Sequence, residues 1–158
     1  MAAIKDPENT LIIETTKGNV VIAMRPDLAP GHVAHIEKLA REGFYDGIVF
    51  HRVIEGFMAQ TGCPKGQGTG GSKYPNLKAE FNAEPHVRGT CSMARSSSPD
   101  SANSQFFICF ADASFLNKQY TAWGNVIDGM DNVDKIKRGE PVQNPDKMVS
   151  VKVAADVK

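Results

Sequence analysis

The feature that most constrains this chain is the shortness of its apolar runs. LIIET (11–15), NVVIAM (19–24), VFHRVI (49–54), CSMAR (91–95), QFFICF (105–110), AWGNVI (122–127) and MVSVKVAADV (148–157) are rich in β-branched and aromatic residues. Runs of this kind, separated by turn formers, read as strands. Thr16-Lys17-Gly18 between the first two is a hairpin signal, with a glycine available for positive φ. The last run alternates Val149, Val151 and Val153 with Ser150 and Lys152, which predicts one buried face and one wet face. Only two segments carry helical spacing. From about 30 to 42, Pro30 suits a first turn, Val33, Ile36 and Leu39/Ala40 form a stripe, and Gly43 stops it. From about 130 to 138, Met130, Val133 and Ile136/Lys137 share one side, with Gly139 after them. Many strands and two distant helices predict a mainly β fold: a mostly antiparallel sheet closed into a barrel, with helices over its ends. No repeat or linker divides the chain, and residues 1–158 read as a single domain.

Composition narrows the function classes. A chain of 158 residues buries roughly 70% of its unfolded surface, so a core forms without disulfides or metal. Eighteen basic residues balance eighteen acidic ones, which leaves no global field for nucleic acid or anionic lipid. Three cysteines (Cys63, Cys91, Cys109) without a CxxC suit a reducing compartment. MAAIKDPENT turns charged and proline-broken before an apolar signal segment forms, and FFICFA (106–111) is too short to span a bilayer. A soluble cytoplasmic protein is the expectation, with neither a membrane nor a nucleic-acid partner.

Most candidate chemistry has a plainer explanation. GQGTGG (66–71) matches G-x-G-x-x-G, but Cys63-Pro64-Lys65 precedes it and Ser72-Lys73-Tyr74-Pro75 follows. A dinucleotide site needs a strand before and a helix after, so a surface loop is the better reading. His32 and His35 have i, i+3 spacing but no third metal ligand placed beside them, and read as solvated surface histidines. His51 should point away from Arg52 and read as a satisfied core histidine. The serines of ARSSSPDSANSQ (94–105) lack an identifiable base, and Cys109 reads as a small buried apolar residue.

Two stretches resist such readings. In SQFFICF, Phe106, Ile108 and Phe110 share one face while Phe107 and Cys109 take the other. That strand needs a core on one side and a second layer or an apolar pocket on the other. In FHRVIEGFMAQTG (50–62), strict alternation separates Phe57 from Met58. Gly56 allows a bend that turns both toward one site, with Arg52 and Gln60 at its margin. A guanidinium beside an apolar surface costs desolvation and usually finds a carboxylate or a ligand oxygen.

FHRVIEGFMAQTG and SQFFICF resemble the two hallmark segments of the cyclophilins, the cyclosporin-binding class of peptidyl-prolyl cis-trans isomerase. The similarity runs from about Leu11 to the last strand and includes GTGG at 68–71, EF at 80–81, SMA at 92–94 and FLN…YT at 115–121. The resemblance implies a closed eight-stranded antiparallel β-barrel capped by two α-helices. It implies that Arg52 is the catalytic arginine, with Gln60 and Gln105 beside it, and that Phe57, Met58, Phe107 and Leu116 enclose the substrate proline. Ala94 matches the alanine of the neighbouring subsite. Arg95 stands where many relatives have asparagine, at a position whose main chain holds the substrate backbone. Tyr120 replaces a histidine common in eukaryotic members, and Phe115 replaces a tryptophan that helps bind cyclosporin.

What the resemblance implies is isomerisation of X–Pro bonds in peptides and unfolded polypeptides, assisting folding, without cofactor or metal. It also implies a monomer that binds cyclosporin with reduced affinity. The alternatives are a peptide-binding or chaperone module with incidental activity, and a small-ligand barrel. Phe106, Ile108 and Phe110 argue against the latter by filling the lumen.

Overall fold

The computed structural model describes residues 6–66, 70–139 and 142–157. The strands are β1 (Thr10–Thr15), β2 (Gly18–Met24), β3 (Arg52–Ile54), β4 (Met58–Thr61), β5 (Thr90–Met93), β6 (Phe106–Cys109), β7 (Ala122–Asp128) and β8 (Met148–Val153). The helices are α1 (Pro30–Arg41) and α2 (Met130–Asp134). All pairings are antiparallel, in the order β3-β4-β6-β5-β7-β2-β1-β8.

The sheet curls into a half-barrel and does not close as expected, because β3 and β8 remain its two edges. The segment beyond α2 runs along the β3 edge instead, through isolated bridges Val53↔Gly139 and Val49↔Lys147 and a bond from the Phe50 amide to the Asp146 carbonyl (2.8 Å). Gly139 at φ +153, Asn144 at φ +49 and Pro145, which has no N–H, keep that segment from forming a ladder. The last strand also departs from simple alternation. A bulge opposite Glu14/Thr15 lets Met148 take the inward place, and Val149 is left 43% exposed. Residues 154–156 form a 3-10 turn rather than more strand.

The inner face of the sheet meets α1 around one core that includes Leu11, Ile22, Val33, Ile36, Phe106, Ile108 and Trp123. Helix α1 has no side-chain cap of its own at Ala29. The Glu80 carboxylate serves instead, accepting from the amides of Gly31 (3.1 Å) and His32 (2.8 Å). At the other end Gly43 (φ +73) donates to the Ala40 carbonyl and Phe44 to that of Leu39, the paired bonds of a Schellman stop. Helix α2 is shorter than its apolar spacing predicts, ending at Asp134. Among the described residues no helix is long and apolar enough to cross a membrane.

His32 and His35 are buried, not solvated, because the α1 stripe turns them toward the 74–80 segment. The His32 Nε2 lies 2.8 Å from the Lys78 carbonyl and the His35 ring meets Tyr74 edge-on. No group of three or more metal-ligating side chains occurs among the described residues. His51 is buried, but its Nδ1 has no hydrogen-bond partner among the described residues, so it is less well satisfied than expected. All three cysteines are buried. Burial pushes the Cys109 thiol up to about 12, and pushes Cys91 well above its ordinary value with a smaller push from Cys109. Neither provides a ready thiolate.

Candidate active site

Sheet register builds the site from one row. Arg52 pairs with Gln60, Gln60 with Phe107, and Phe107 with Ser92, so residues from β3, β4, β6 and β5 project to the same outer side. The adjacent row is Ile54, Met58 and Cys109. Phe106, Ile108 and Phe110 pack in the inner core, while Phe107 and Cys109 join Met58, Ala113 and Leu116 in a separate outer cluster. Phe57 reaches that cluster because the β3–β4 turn bends at Gly56 (φ +73), with the Phe57 amide bonded to the Ile54 carbonyl at 3.0 Å.

Arg52, Phe57, Met58, Gln60, Ala94, Arg95, Phe107, Leu116 and Tyr120 line one cavity of about 130 Å³. Gln105 lies outside it. It lines an adjoining polar chamber of about 600 Å³ that shares Gln60, Ala94 and Arg95 with the cavity. Phe115 is 66% exposed and rests on Phe57 at the rim, ring centroids 5.5 Å apart. Residues 67–69, which hold part of the GTGG match, lie outside the described residues.

A relay of amides orients the arginine. The Gly70 carbonyl only accepts, so Gln105 must turn its Nε2 toward it (3.0 Å). The Gln105 Oε1 then accepts from Gln60 Nε2 (3.0 Å), which leaves Gln60 Oε1 to accept from Arg52 Nη1 (3.3 Å). The Gln105 backbone is in turn fixed by its neighbour Ser104, whose carbonyl accepts from Tyr45 Oη (2.8 Å) and whose hydroxyl donates to the Gly62 carbonyl (2.7 Å).

Sequence reasoning missed what lies behind Phe107. His86 is 1% exposed and its ring stacks on Phe107 at 6.3 Å between centroids. The Asn117 Oδ1 accepts from the His86 amide (2.7 Å), so it also accepts from Nδ1–H (3.1 Å). Nε2 is therefore the unprotonated nitrogen that accepts from the Ser92 hydroxyl (2.9 Å). Burial pulls the His86 pKa down against a smaller upward pull from Asn117. Nothing in EPHVRG marks this residue, since its partners come from β5 and the 114–117 turn.

A small apolar cup, a guanidinium bonded to a neutral amide and an adjoining polar chamber thus stand side by side on the outer face of the sheet. The family model for cyclophilin type peptidyl-prolyl cis-trans isomerase/CLD matches residues 10–155. The chain belongs to this family. A probable peptidyl-prolyl cis-trans isomerase of Brucella suis is 56% identical, over 99% of this chain and 88% of that protein. The crystal structure of a cyclophilin from Hirschia baltica matches with a TM-score of 0.90 at 32% identity, covering 97% of this chain and 76% of that one. A cyclophilin-type isomerase of Cryptosporidium parvum, crystallised in the presence of the dipeptide Ala-Pro, matches at TM-score 0.85 and 25% identity, covering 91% of this chain and 98% of that one. The chain is a cyclophilin-type peptidyl-prolyl cis-trans isomerase by family, by relatives and by fold.

Proposed function

We propose that this cyclophilin seats the proline ring of an X–Pro substrate in the cup formed by Phe57, Met58, Phe107 and Leu116, and that Arg52 donates to the proline nitrogen as the amide twists. The carrying observation is the register row that sets Arg52 and Gln60 beside Phe107 at the cup's margin. At about 130 Å³ the cup is too small for an extended ligand. Its size suits one small ring, with the adjoining chamber of about 600 Å³ beside it for the flanking chain. Rotation about an X–Pro bond faces a barrier of about 18–20 kcal/mol, which arises from resonance between nitrogen and carbonyl. Twisting removes that resonance, and the nitrogen pyramidalises and recovers its lone pair. A donor aimed there binds the twisted state better than the planar one, and only such differential binding raises the rate.

The amide relay supports this role. It holds Gln60 Oε1 on the guanidinium, so the donor is positioned before substrate arrives. Gln105 belongs to that relay, and Ala94 with the Arg95 main chain lies where the chamber takes up the flanking peptide. Tyr120 closes the far wall and Phe115 extends the apolar rim. Phe115 carries no indole N–H, so cyclosporin binds more weakly than to a Phe115→Trp variant. The clients are exposed X–Pro bonds of peptides and unfolded chains; the Ala-Pro used with the Cryptosporidium relative is the simplest probe.

NMR exchange or a protease-coupled assay on an Ala-Pro peptide tests the mechanism. Arg52→Ala is expected to lower kcat/KM by about 10²–10³-fold, the range for removing one preorganised donor. Arg52→Lys is expected to lose nearly as much, because an ammonium does not reproduce the planar fork. Wild-type rates in Arg52→Ala would sink the proposal. Peptide binding retained while the rate is lost separates catalysis from a pure binding role.

A further inference from the structure

The Arg95 side chain carries more structure than its half-exposed place in a serine-rich loop suggests. Its Nε and Nη2 both donate to the Gln119 carbonyl, at 3.0 and 2.8 Å. Its Nη1 donates back to the Ser96 carbonyl at 2.9 Å and, more weakly, to that of Ser97 at 3.4 Å. The guanidinium carbon lies 4.6 Å from the centroid of the Tyr120 ring, which in turn meets Phe107 edge-on at 6.0 Å. One side chain therefore joins the loop after β5 to the turn before β7 and reaches the floor of the proline cup through Tyr120.

The first half of the turn at the other end of this link is anchored, with Leu116 packed in the outer cluster and Asn117 Oδ1 accepting from His86. Its second half rests on local bonds, Gln119 N–H to the Leu116 carbonyl (3.0 Å) and Gln119 Nε2 to the Phe115 carbonyl (3.1 Å). Lys118 sits at φ +63, a left-handed conformation that opposes the turn at a non-glycine residue. Yet this turn carries Leu116 and Tyr120 into the cavity. Arg95 lines both the cavity and the polar chamber, so the wall between them moves if the turn moves.

We propose that the Arg95 guanidinium is a positioning residue, a strap that fixes the 116–120 turn against the loop after β5 and so sets the width of the substrate groove. This role belongs to the side chain and is separate from the main-chain role of the same residue. It rests on the reading of the cavity as the proline site. The fork is what matters. A planar guanidinium delivers two converging N–H bonds to one carbonyl oxygen while lying over a ring, and a lysine ammonium does not do both. Without the strap the turn samples other arrangements, and apparent affinity falls in proportion to the time spent in the competent one.

The test uses Arg95→Ala and Arg95→Lys in the full chain. For an X–Pro peptide with residues on both sides of the bond, each is expected to raise KM about tenfold, as when the competent turn falls to a tenth of the population. The effect on kcat is expected to be smaller, since Arg52 and its relay are untouched. In the free protein, backbone amide order parameters of residues 116–120 are expected to fall in both variants. An unchanged turn or an unchanged KM overturns the strap, and so does a loss confined to kcat. Recovery of KM in Arg95→Lys overturns it as well, because charge alone would then suffice. Should the wild type itself fail to accelerate isomerisation, the proline-site reading falls, while the order parameters still decide the strap.

Discussion

His86 supports the proline cup from behind, and its value lies in having every polar atom matched. Nδ1–H meets Asn117, Nε2 meets Ser92, and the ring face meets Phe107. Replacing His86 with Phe keeps a flat ring there but strands the buried Ser92 hydroxyl, while the Asn117 amide oxygen keeps its bond from the backbone amide of residue 86. Leaving a buried polar group unsatisfied costs about 1–3 kcal/mol. The expected loss is about 1–3 kcal/mol in urea unfolding, with His86→Gln, which retains a donor and an acceptor, losing less. Equal stability of wild type and His86→Phe would refute this account. The contrast with Arg52 shows which residues are legible in a sequence. Arg52 stands out because its local surroundings, FHRVIEGFM, are wrong for a charge. His86 does not, because its surroundings are assembled from β5, β6 and a turn far along the chain.

At the scale of elements, the β3–β4 hairpin was readable in some detail. Alternation alone separates Phe57 from Met58, and Gly56 between the strands is the residue that resolves the conflict. The structure shows how: the turn bends at positive φ and Phe57 joins Met58 in the outer cluster. A Cβ at Gly56 meets no atom within 4 Å, whereas one at Gly62 comes to 2.3 Å from the Ser104 carbonyl oxygen. Gly56→Ala should therefore lose only conformational energy, about 1–2 kcal/mol for a left-handed non-glycine residue. Gly62→Ala should lose about 3 kcal/mol or more, since backbone must shift and overpacking of a tight site reaches that range. Paired urea melts check the order, and a larger loss at Gly56 would show that the turn is held by more than backbone preference. Other elements were less legible. The failure of the barrel to close depends on Gly139, Asn144 and Pro145 acting across from β3, and the exposure of Val149 depends on a bulge opposite β1. Both are pairing events between distant segments, which a period-2 pattern does not encode.

For the whole molecule, the histidines make a collective prediction. The chain has four, and His32, His35, His51 and His86 are all buried. Burial is the leading cause that lowers the pKa of each. At His32 the Lys78 carbonyl and Glu80 pull weakly the other way, while at His51 the neighbouring Arg52 adds to the lowering. The spacing of His32 and His35 had suggested surface residues, so this property arises from how α1 docks and not from local sequence. The sign follows from linkage. A histidine whose folded pKa lies below its unfolded value, near 6.5, binds protons more readily when unfolded. Its contribution is complete above about pH 6.5 and is lost as pH falls from there toward the folded pKa. Each such group removes at most ~1.4 kcal/mol per pH unit, so several acting together destabilise the fold by a few kcal/mol between about pH 7 and 5. An ordinary carboxylate titrates near 4, below that window, although burial raises Glu37 toward it with the opposite sign. Urea midpoints are thus expected to fall steadily from pH 7 to 5, with isomerase activity failing as the fold does. A midpoint that stays flat across this range would mean that the histidines take up protons in the folded state as readily as in the unfolded chain, against the lowering that burial imposes.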